Sequence, residues 1–157
     1  MRVKKVLKKN KNLLSARFAV VVSRFNPDIT GGLLEACLNE FIRLKVAVSD
    51  VQVVYVPGAF EIPVTALKLA EKKNIEAVIC LGAVIRGETL HYELVAGAAA
   101  QGIMEVALRT AKPVIFEILA ADTVQLCEAR ARTGDGENKG ASAARTAVEM
   151  VDSLRNV

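Results

Sequence analysis

The sequence predicts an α/β domain, a three-layer αβα sandwich around a four-stranded parallel sheet. Three observations carry this. Four short runs rich in Val, Ile and Ala alternate with helical patterns along the chain. Those runs are apolar throughout instead of alternating with polar residues, as expected of strands buried on both faces. The chain has 157 residues and is 52% hydrophobic, enough for a single domain with a well-buried core. Only 4% is aromatic and there is no Trp, so Ala, Val, Leu and Ile must fill that core. The crossovers between parallel strands should be right-handed.

Residues 16–22 are β-branched and apolar and read as the first buried strand. Ser23-Arg24-Phe25-Asn26-Pro27 ends it, because Pro27 disfavours a helical Asn26. From Ile29 the pattern turns helical: Leu33, Cys37 and Phe41 recur every four residues, as do Leu34 and Leu38. Residues 51–56 form the second strand, Pro57-Gly58 stops it, and residues 62–73 are helical. The third strand spans 76–85, centred on Ala77-Val78-Ile79-Cys80-Leu81. The next helix runs from His91 to about Thr110. Its small residues Ala96, Gly97, Ala98, Ala99, Ala100 and Gly102 lower helix propensity at the glycines but admit another backbone closely. The fourth strand covers 113–119 and a short helix 122–131. A polar loop fills 133–138, and a last helix runs over 139–154 with Ala143, Ala147 and Met150 near one face. No repeat or interdomain linker interrupts the pattern.

The net charge of +4 comes largely from a basic arm over residues 1–14, with Arg2, Lys4, Lys5, Lys8, Lys9 and Lys11. Such an arm can meet nucleic acid or an acidic surface, or be a solvated or partner-bound extension. No aromatic residue is interleaved with the lysines, so nucleic-acid binding is not expected. No apolar run reaches the ~18–20 residues of a membrane span, and no signal-peptide core is expected at the start. Cys37, Cys80 and Cys127 are odd in number and far apart, with no CxxC. That points to reduced thiols in the cytoplasm and away from a zinc site.

Ligands of open parallel sheets bind outside the carboxyl ends of the strands. The unusual segments fall there: Ser23 to Asn26, Pro57 to Pro63, and above all Val84-Ile85-Arg86-Gly87-Glu88-Thr89-Leu90-His91, with Phe116 towards the end of the fourth strand. Gly87-Glu88-Thr89 opens a helix whose free N–H groups attract anions, though Thr89 can equally be an ordinary cap. His91 is the sole histidine, and imidazole suits proton transfer near neutral pH; a structural role stands beside that one. Glu61 can accept hydrogen bonds from a polyol or an amine, or merely answer the helix dipole. Phe25 and Phe116 can stack on a planar ring or cap the core. Arg130 and Lys139 flank the polar loop as cationic candidates. The phosphate-binding patterns GxGxxG and GxxxxGK[ST] and the nucleophile elbow GxSxG are missing, and nothing suggests a redox cofactor or a metal.

The ordered set Arg24-Phe25-Asn26, Val56-Pro57-Gly58-Ala59-Phe60-Glu61-Ile62-Pro63, Gly82 to His91 and Asn138-Lys139-Gly140 resembles the 6,7-dimethyl-8-ribityllumazine synthases of riboflavin biosynthesis, over about residues 16–152. The resemblance implies a flavodoxin-like arrangement and a cofactor-free condensation of 5-amino-6-(D-ribitylamino)uracil with 3,4-dihydroxy-2-butanone 4-phosphate. By motif, Phe25 would stack on the pyrimidine, backbone at Ala59, Phe60, Val84 and Ile85 would hold its edge, and Glu61 would bind the ribityl chain. Gly87, Glu88 through its backbone, and Thr89 would take the phosphate, and His91 would move protons. The family's site lies between subunits of a pentamer, so a neighbour would add Phe116, Arg130 for the phosphate and Lys139 for a ring carbonyl. Five copies of the helix after His91 would surround the fivefold axis, and the N-terminal arm would lie on a neighbouring sheet.

Some family members build sixty-subunit shells. The 133–138 loop is one residue longer here than in many of those, which favours free pentamers. A functional link to riboflavin synthase is also implied. Glu117 departs from the small or polar residues commoner at its place, and Pro27 and Leu90 fall at variable positions. A non-catalytic flavin- or lumazine-binding protein, or a cage subunit, on the same scaffold is the alternative. The intact set Phe25, Glu61, Thr89, His91, Arg130 and Lys139 favours the enzyme.

Overall fold

A computed structural model describes residues 16–132 and 137–157. The basic arm and most of the 133–138 loop lie outside the described residues. The chain runs β1 (Phe18–Ser23), α1 (Pro27–Arg43), β2 (Val51–Val56), α2 (Ile62–Ala70), β3 (Ala77–Ile85), α3 (His91–Thr110), β4 (Val114–Ala121), α4 (Val124–Ala131) and α5 (Lys139–Arg155). Short 3-10 turns at Val48–Asp50 and Ala59–Glu61 precede β2 and α2. All strand pairs are parallel, in the order β2-β1-β3-β4. The four strands and the flavodoxin-like α/β arrangement expected from the sequence are therefore present.

The apolar runs explain the layers. Every residue of β1 is buried, and β3 is buried up to Val84. Both strands feed two cores, one on each face of the sheet. Phe18, Val20, Val22, Ile79 and Leu81 pack with α1, α4 and α5. Ala19, Val21, Val78 and Cys80 pack with α2 and α3. Each such aliphatic side chain contributes about 1.5–3 kcal/mol when withdrawn from water. The edge strands β2 and β4 are only partly covered, which leaves Tyr55 and Phe116 exposed.

Several boundaries differ from the sequence reading. Helix α1 begins at Pro27, two residues early, because a proline at the first helical position gives up an N–H that no helix bond needs. Asn26 leaves the right-handed helical region, as Pro27 demands, but adopts the left-handed region at φ 56° instead of an extended one. Asn tolerates that conformation better than most residues. Helix α2 ends at Ala70, and β4 continues to Ala121, pairing with eight of the nine residues of β3. Met150 is exposed; Val151 takes the buried place on α5 with Ala143, Ala144 and Ala147. The small residues of α3 do permit a close helix contact, at Gly102, where a Cβ would come within 2.8 Å of Pro63 on α2.

The start of α5 is tied down tightly. Asn138 accepts the Gly140 N–H (2.8 Å) and donates to the carbonyls of Ala131 and Gly32. Nearby, the Glu40 carboxylate receives two bonds from Arg43 and one from Arg145, bracing α1 against α5. The Arg43 bonds hold the Glu40 carboxyl below its usual range, against the opposing effect of its burial, and Arg145 adds to them. At Gly140 the α5 backbone presses on α1, and a Cβ there would overlap the Leu33 carbonyl. Helix propensity alone favours alanine at a helical glycine by about 1 kcal/mol. Here the overlap reverses the sign: Gly140→Ala should destabilise the fold by about 1–3 kcal/mol, as overpacking does, read as a fall in the denaturant midpoint at unchanged m-value.

Candidate functional site

In the strand order β2-β1-β3-β4 the chain leaves β1 towards one edge and later returns to its other side. The switch point therefore lies between the carboxyl ends of β1 and β3, where ligands of such sheets bind. A cavity of about 410 Å³ opens there. The loop after β1 contributes Phe25 and Asn26, and the 3-10 turn after β2 contributes Ala59, Phe60 and Glu61. The end of β3 and the start of α3 contribute Val84, Ile85, Gly87, Thr89, His91, Tyr92 and Val95. Nine of the thirteen sequence-predicted site residues thus meet around one space.

The Asn26 side chain donates 3.0 Å to the Ala83 carbonyl, pinning the first loop to β3 across the switch point. The Asn26 carbonyl receives the first helical N–H groups, from Ile29 and Thr30. This leaves Phe25 69% exposed over the cavity, an apolar plate with no ring partner among the described residues. Phe60 is exposed as well, while Ala59 and Val84 form a buried floor. The Glu61 carboxylate folds back over Gly58, where a Cβ would lie 3.0 Å from Oε2.

The turn from Gly87 to Leu90 is exposed and lightly bonded. Thr89 Oγ1 accepts the His91 N–H at 3.3 Å, so the threonine does act as a local cap. The Leu90 carbonyl takes the N–H of Glu93 and Leu94. Among the described residues no protein acceptor takes the backbone N–H of Gly87, Glu88, Thr89 or Leu90. Free donors at the start of a twenty-residue helix favour an anion.

Four predicted residues are placed elsewhere. Glu88 lies in the turn, but outside the cavity lining. Phe116 is the third residue of β4, opposite Cys80 and well short of the carboxyl edge, because β4 runs on to Ala121. The fourth strand therefore adds nothing to the lining. Arg130 sits near the end of α4 and donates 2.7 Å to the Leu126 carbonyl. Lys139 opens α5. Burial pushes the Cys37 thiol up to about 12 and raises the Cys80 and Cys127 thiols too, so none is a ready nucleophile.

The sequence reading did not assign Asn26, Gly58, Ala83, Tyr92 and Val95 as lining residues. The helical spacing of His91 and Val95, one turn apart, was the available signal for Val95. Asn26 was legible only as a turn residue.

An aromatic plate, a carboxylate, free N–H donors and one imidazole around a switch-point cavity give an α/β protein with a site suited to a planar ring beside an anion. The family profile of 6,7-dimethyl-8-ribityllumazine synthase matches residues 15–155. A 6,7-dimethyl-8-ribityllumazine synthase from Thermus thermophilus is 46% identical over 141 residues, covering 90% of this chain and 89% of its own. Those from Syntrophus aciditrophicus (48% identical, 90% and 91% covered) and Protochlamydia amoebophila (45%, 90% and 81%) are similar to it as well. The chain belongs to the 6,7-dimethyl-8-ribityllumazine synthase family.

Glu117 follows Phe116 on the strand, and burial raises its carboxyl above the ordinary range, with nearby Lys139 acting the other way. A carboxyl with a raised folded-state pKa binds its proton more tightly when folded. Stability is then lost as pH climbs from the ordinary glutamate range through the raised value. Glu117→Gln should therefore raise the thermal midpoint at neutral pH, and the gain should shrink towards zero in acid. A lower midpoint at neutral pH would mean that attraction to Lys139 outweighs desolvation.

Proposed function

We infer that this chain condenses 5-amino-6-(D-ribitylamino)uracil with 3,4-dihydroxy-2-butanone 4-phosphate to give 6,7-dimethyl-8-ribityllumazine, phosphate and water, a transferase step of riboflavin biosynthesis. The observation that carries this reading is the meeting of Phe25, Glu61, the Gly87–Thr89 turn and His91 around one cavity in a chain of this family. The exposed Phe25 ring stacks on the pyrimidine, and backbone at Ala59, Phe60, Val84 and Ile85 holds the ring edge. Glu61 accepts ribityl hydroxyls. Backbone N–H groups of Gly87 and Glu88, with Thr89, bind the phosphate.

The chemistry is a series of proton transfers. The 5-amino group adds to the butanone carbonyl, and a first water leaves as the imine forms. Loss of the proton from the adjacent carbon expels phosphate and leaves an enol, which becomes a methyl ketone. The ribitylamino nitrogen closes on that ketone, and a second water leaves. His91, beside the anion turn, carries protons between these centres. Much of the acceleration comes from holding the two reactants aligned. Every step is acid–base, so the reaction calls for no redox cofactor.

We further propose that the site is completed by a neighbour's Phe116, Arg130 and Lys139 in a homopentamer. Two features support this. Among the described residues no Lys or Arg lines the cavity, although on this reading it holds a phosphate. Helix α3 also bares Leu90, Leu94, Met104 and Leu108, which with Gly97 and Gln101 follow a four-three spacing along one stripe. That spacing is the seam of helices packed around a common axis. The oligomer is read as free pentamers without a shell. Cys37, Cys80 and Cys127 are free and buried, and no described helix is long and apolar enough to cross a membrane; a cytoplasmic location fits both. A functional link to riboflavin synthase follows, since the lumazine product must be consumed by a further enzyme.

Purified protein mixed with both substrates should release phosphate and form fluorescent lumazine well above the spontaneous rate; equal rates would sink the enzyme reading. Arg130→Ala should raise KM for the butanone phosphate and spare that of the pyrimidine. The shared site has its own test. Phe25→Ala and Arg130→Ala proteins, each poorly active at low butanone phosphate, should regain about a quarter of wild-type sites when unfolded, mixed and reassembled, because a ring of heterologous contacts then pairs intact halves. No recovery would place both residues in one subunit's site.

A further inference from the structure

The Gly87–Leu90 turn has almost nothing to hold its shape. Its backbone donors are free, its side chains are exposed, and its local bonds are that from the His91 N–H to Thr89 Oγ1 and those that the Leu90 carbonyl takes from α3. A loose turn presents its N–H groups to an anion poorly, since each must be aligned again on binding. The structure supplies one residue that grips both ends. Arg86 leaves β3 and donates its backbone N–H to the Ala121 carbonyl at 2.9 Å, extending the β3–β4 ladder by one bond. Its guanidinium donates 3.2 Å to Asp122 Oδ1, just beyond β4. The same group lies 5.4 Å from the ring centroid of Tyr92, in the first turn of α3. Tyr92 in turn donates its hydroxyl to Glu93 at 3.2 Å. The entry and exit of the turn are thus bridged by a single side chain.

We propose that Arg86 is a positioning residue, whose guanidinium, held between Asp122 and the Tyr92 ring, fixes the Gly87–Leu90 turn in the form that binds the substrate's phosphate. This rests on the reading of that turn as the phosphate site. The Asp122 hydrogen bond, ahead of the neighbouring Tyr92, raises the Arg86 pKa above its ordinary value. A planar guanidinium can donate to a carboxylate from one nitrogen while its face lies near a ring, which a Lys ammonium matches poorly. Asp122 lies outside the cavity, so it reports on Arg86 without touching substrate.

The experiment measures binding of inorganic phosphate to the assembled protein by calorimetry, with steady-state kinetics alongside. Arg86→Ala should weaken phosphate by about three- to tenfold, the scale of one exposed ring–cation contact plus one exposed ion pair, and Asp122→Asn, which loses the ion pair alone, by about two- to fivefold. KM for the butanone phosphate should rise in step, with the pyrimidine KM unchanged. Arg86→Lys, which keeps the charge and loses the fork, should resemble Arg86→Ala. If Asp122→Asn binds phosphate like wild type while Arg86→Ala does not, the guanidinium is a direct ligand and the positioning role is overturned. Unchanged affinity in Arg86→Ala overturns it too. Should wild type bind no phosphate, or Gly87→Pro bind it normally, the anion-site reading itself fails, and that result is distinct from the others.

Discussion

Burial of β1 and β3 on both faces is the constraint from which the rest of the molecule follows. A strand with no exposed face cannot place a polar side chain along its length without a partner. Chemistry is therefore displaced to the strand ends, where the chain turns and backbone groups become free. Because the two central strands diverge in connectivity at the switch point, their following loops leave in opposite directions and open a gap. The Asn26–Ala83 hydrogen bond spans that gap and gives it a fixed width. Phe25 is held as a plate on one side of it, and the Val84–His91 segment forms the other.

The same geometry bears on the proposal that a neighbouring chain completes the site. A parallel sheet of four strands presents three successive loops around its switch point, and these supply the plate, the carboxylate and the anion turn. Cations are drawn to the opposite ends of helices, where the dipole is negative, and both Arg130 and the Arg109 end of α3 obey that rule. A phosphate at a helix start is stabilised by the dipole of its own chain. A compensating cation must come from an element whose position is not tied to that helix. The proposed second subunit would meet that need, and the bare apolar stripe on α3 would give it a surface to pack on.

How far this was legible in the sequence depended on the range of the interactions involved. The continuous apolar runs and the four-residue spacing of Leu33, Cys37 and Phe41 encode local structure and burial together, so strands, helices and layers were readable. Boundaries set by long-range pairing were not. The length of β4 is fixed by its partner β3, and so the position of Phe116 relative to the sheet edge could not be inferred from its own neighbours. Asn26 looked like a turn residue because its sequence context is a turn; its bond to a carbonyl 57 positions away exists only in the fold. Tyr92 and Asp122 escaped notice for the same reason, each acquiring meaning through Arg86.

Free donors in the Gly87–Leu90 turn and the half-buried Glu117 carboxyl raise a common point about stability. Both are local arrangements that a chain selected for stability alone would not keep. A proline or a capping side chain would stiffen the turn, and an amide at position 117 would remove a desolvated charge. What remains uncompensated within the fold is available to a ligand or a neighbour. The phosphate's oxygens would satisfy the turn, and Lys139 opposes the cost of burying Glu117. On the proposed reading, ligand and neighbour would both add stability to the folded chain. Arg86 serves that arrangement by keeping the turn ready without filling it: its bonds reach the flanks, at Asp122 and Tyr92, and leave the N–H groups of the turn free.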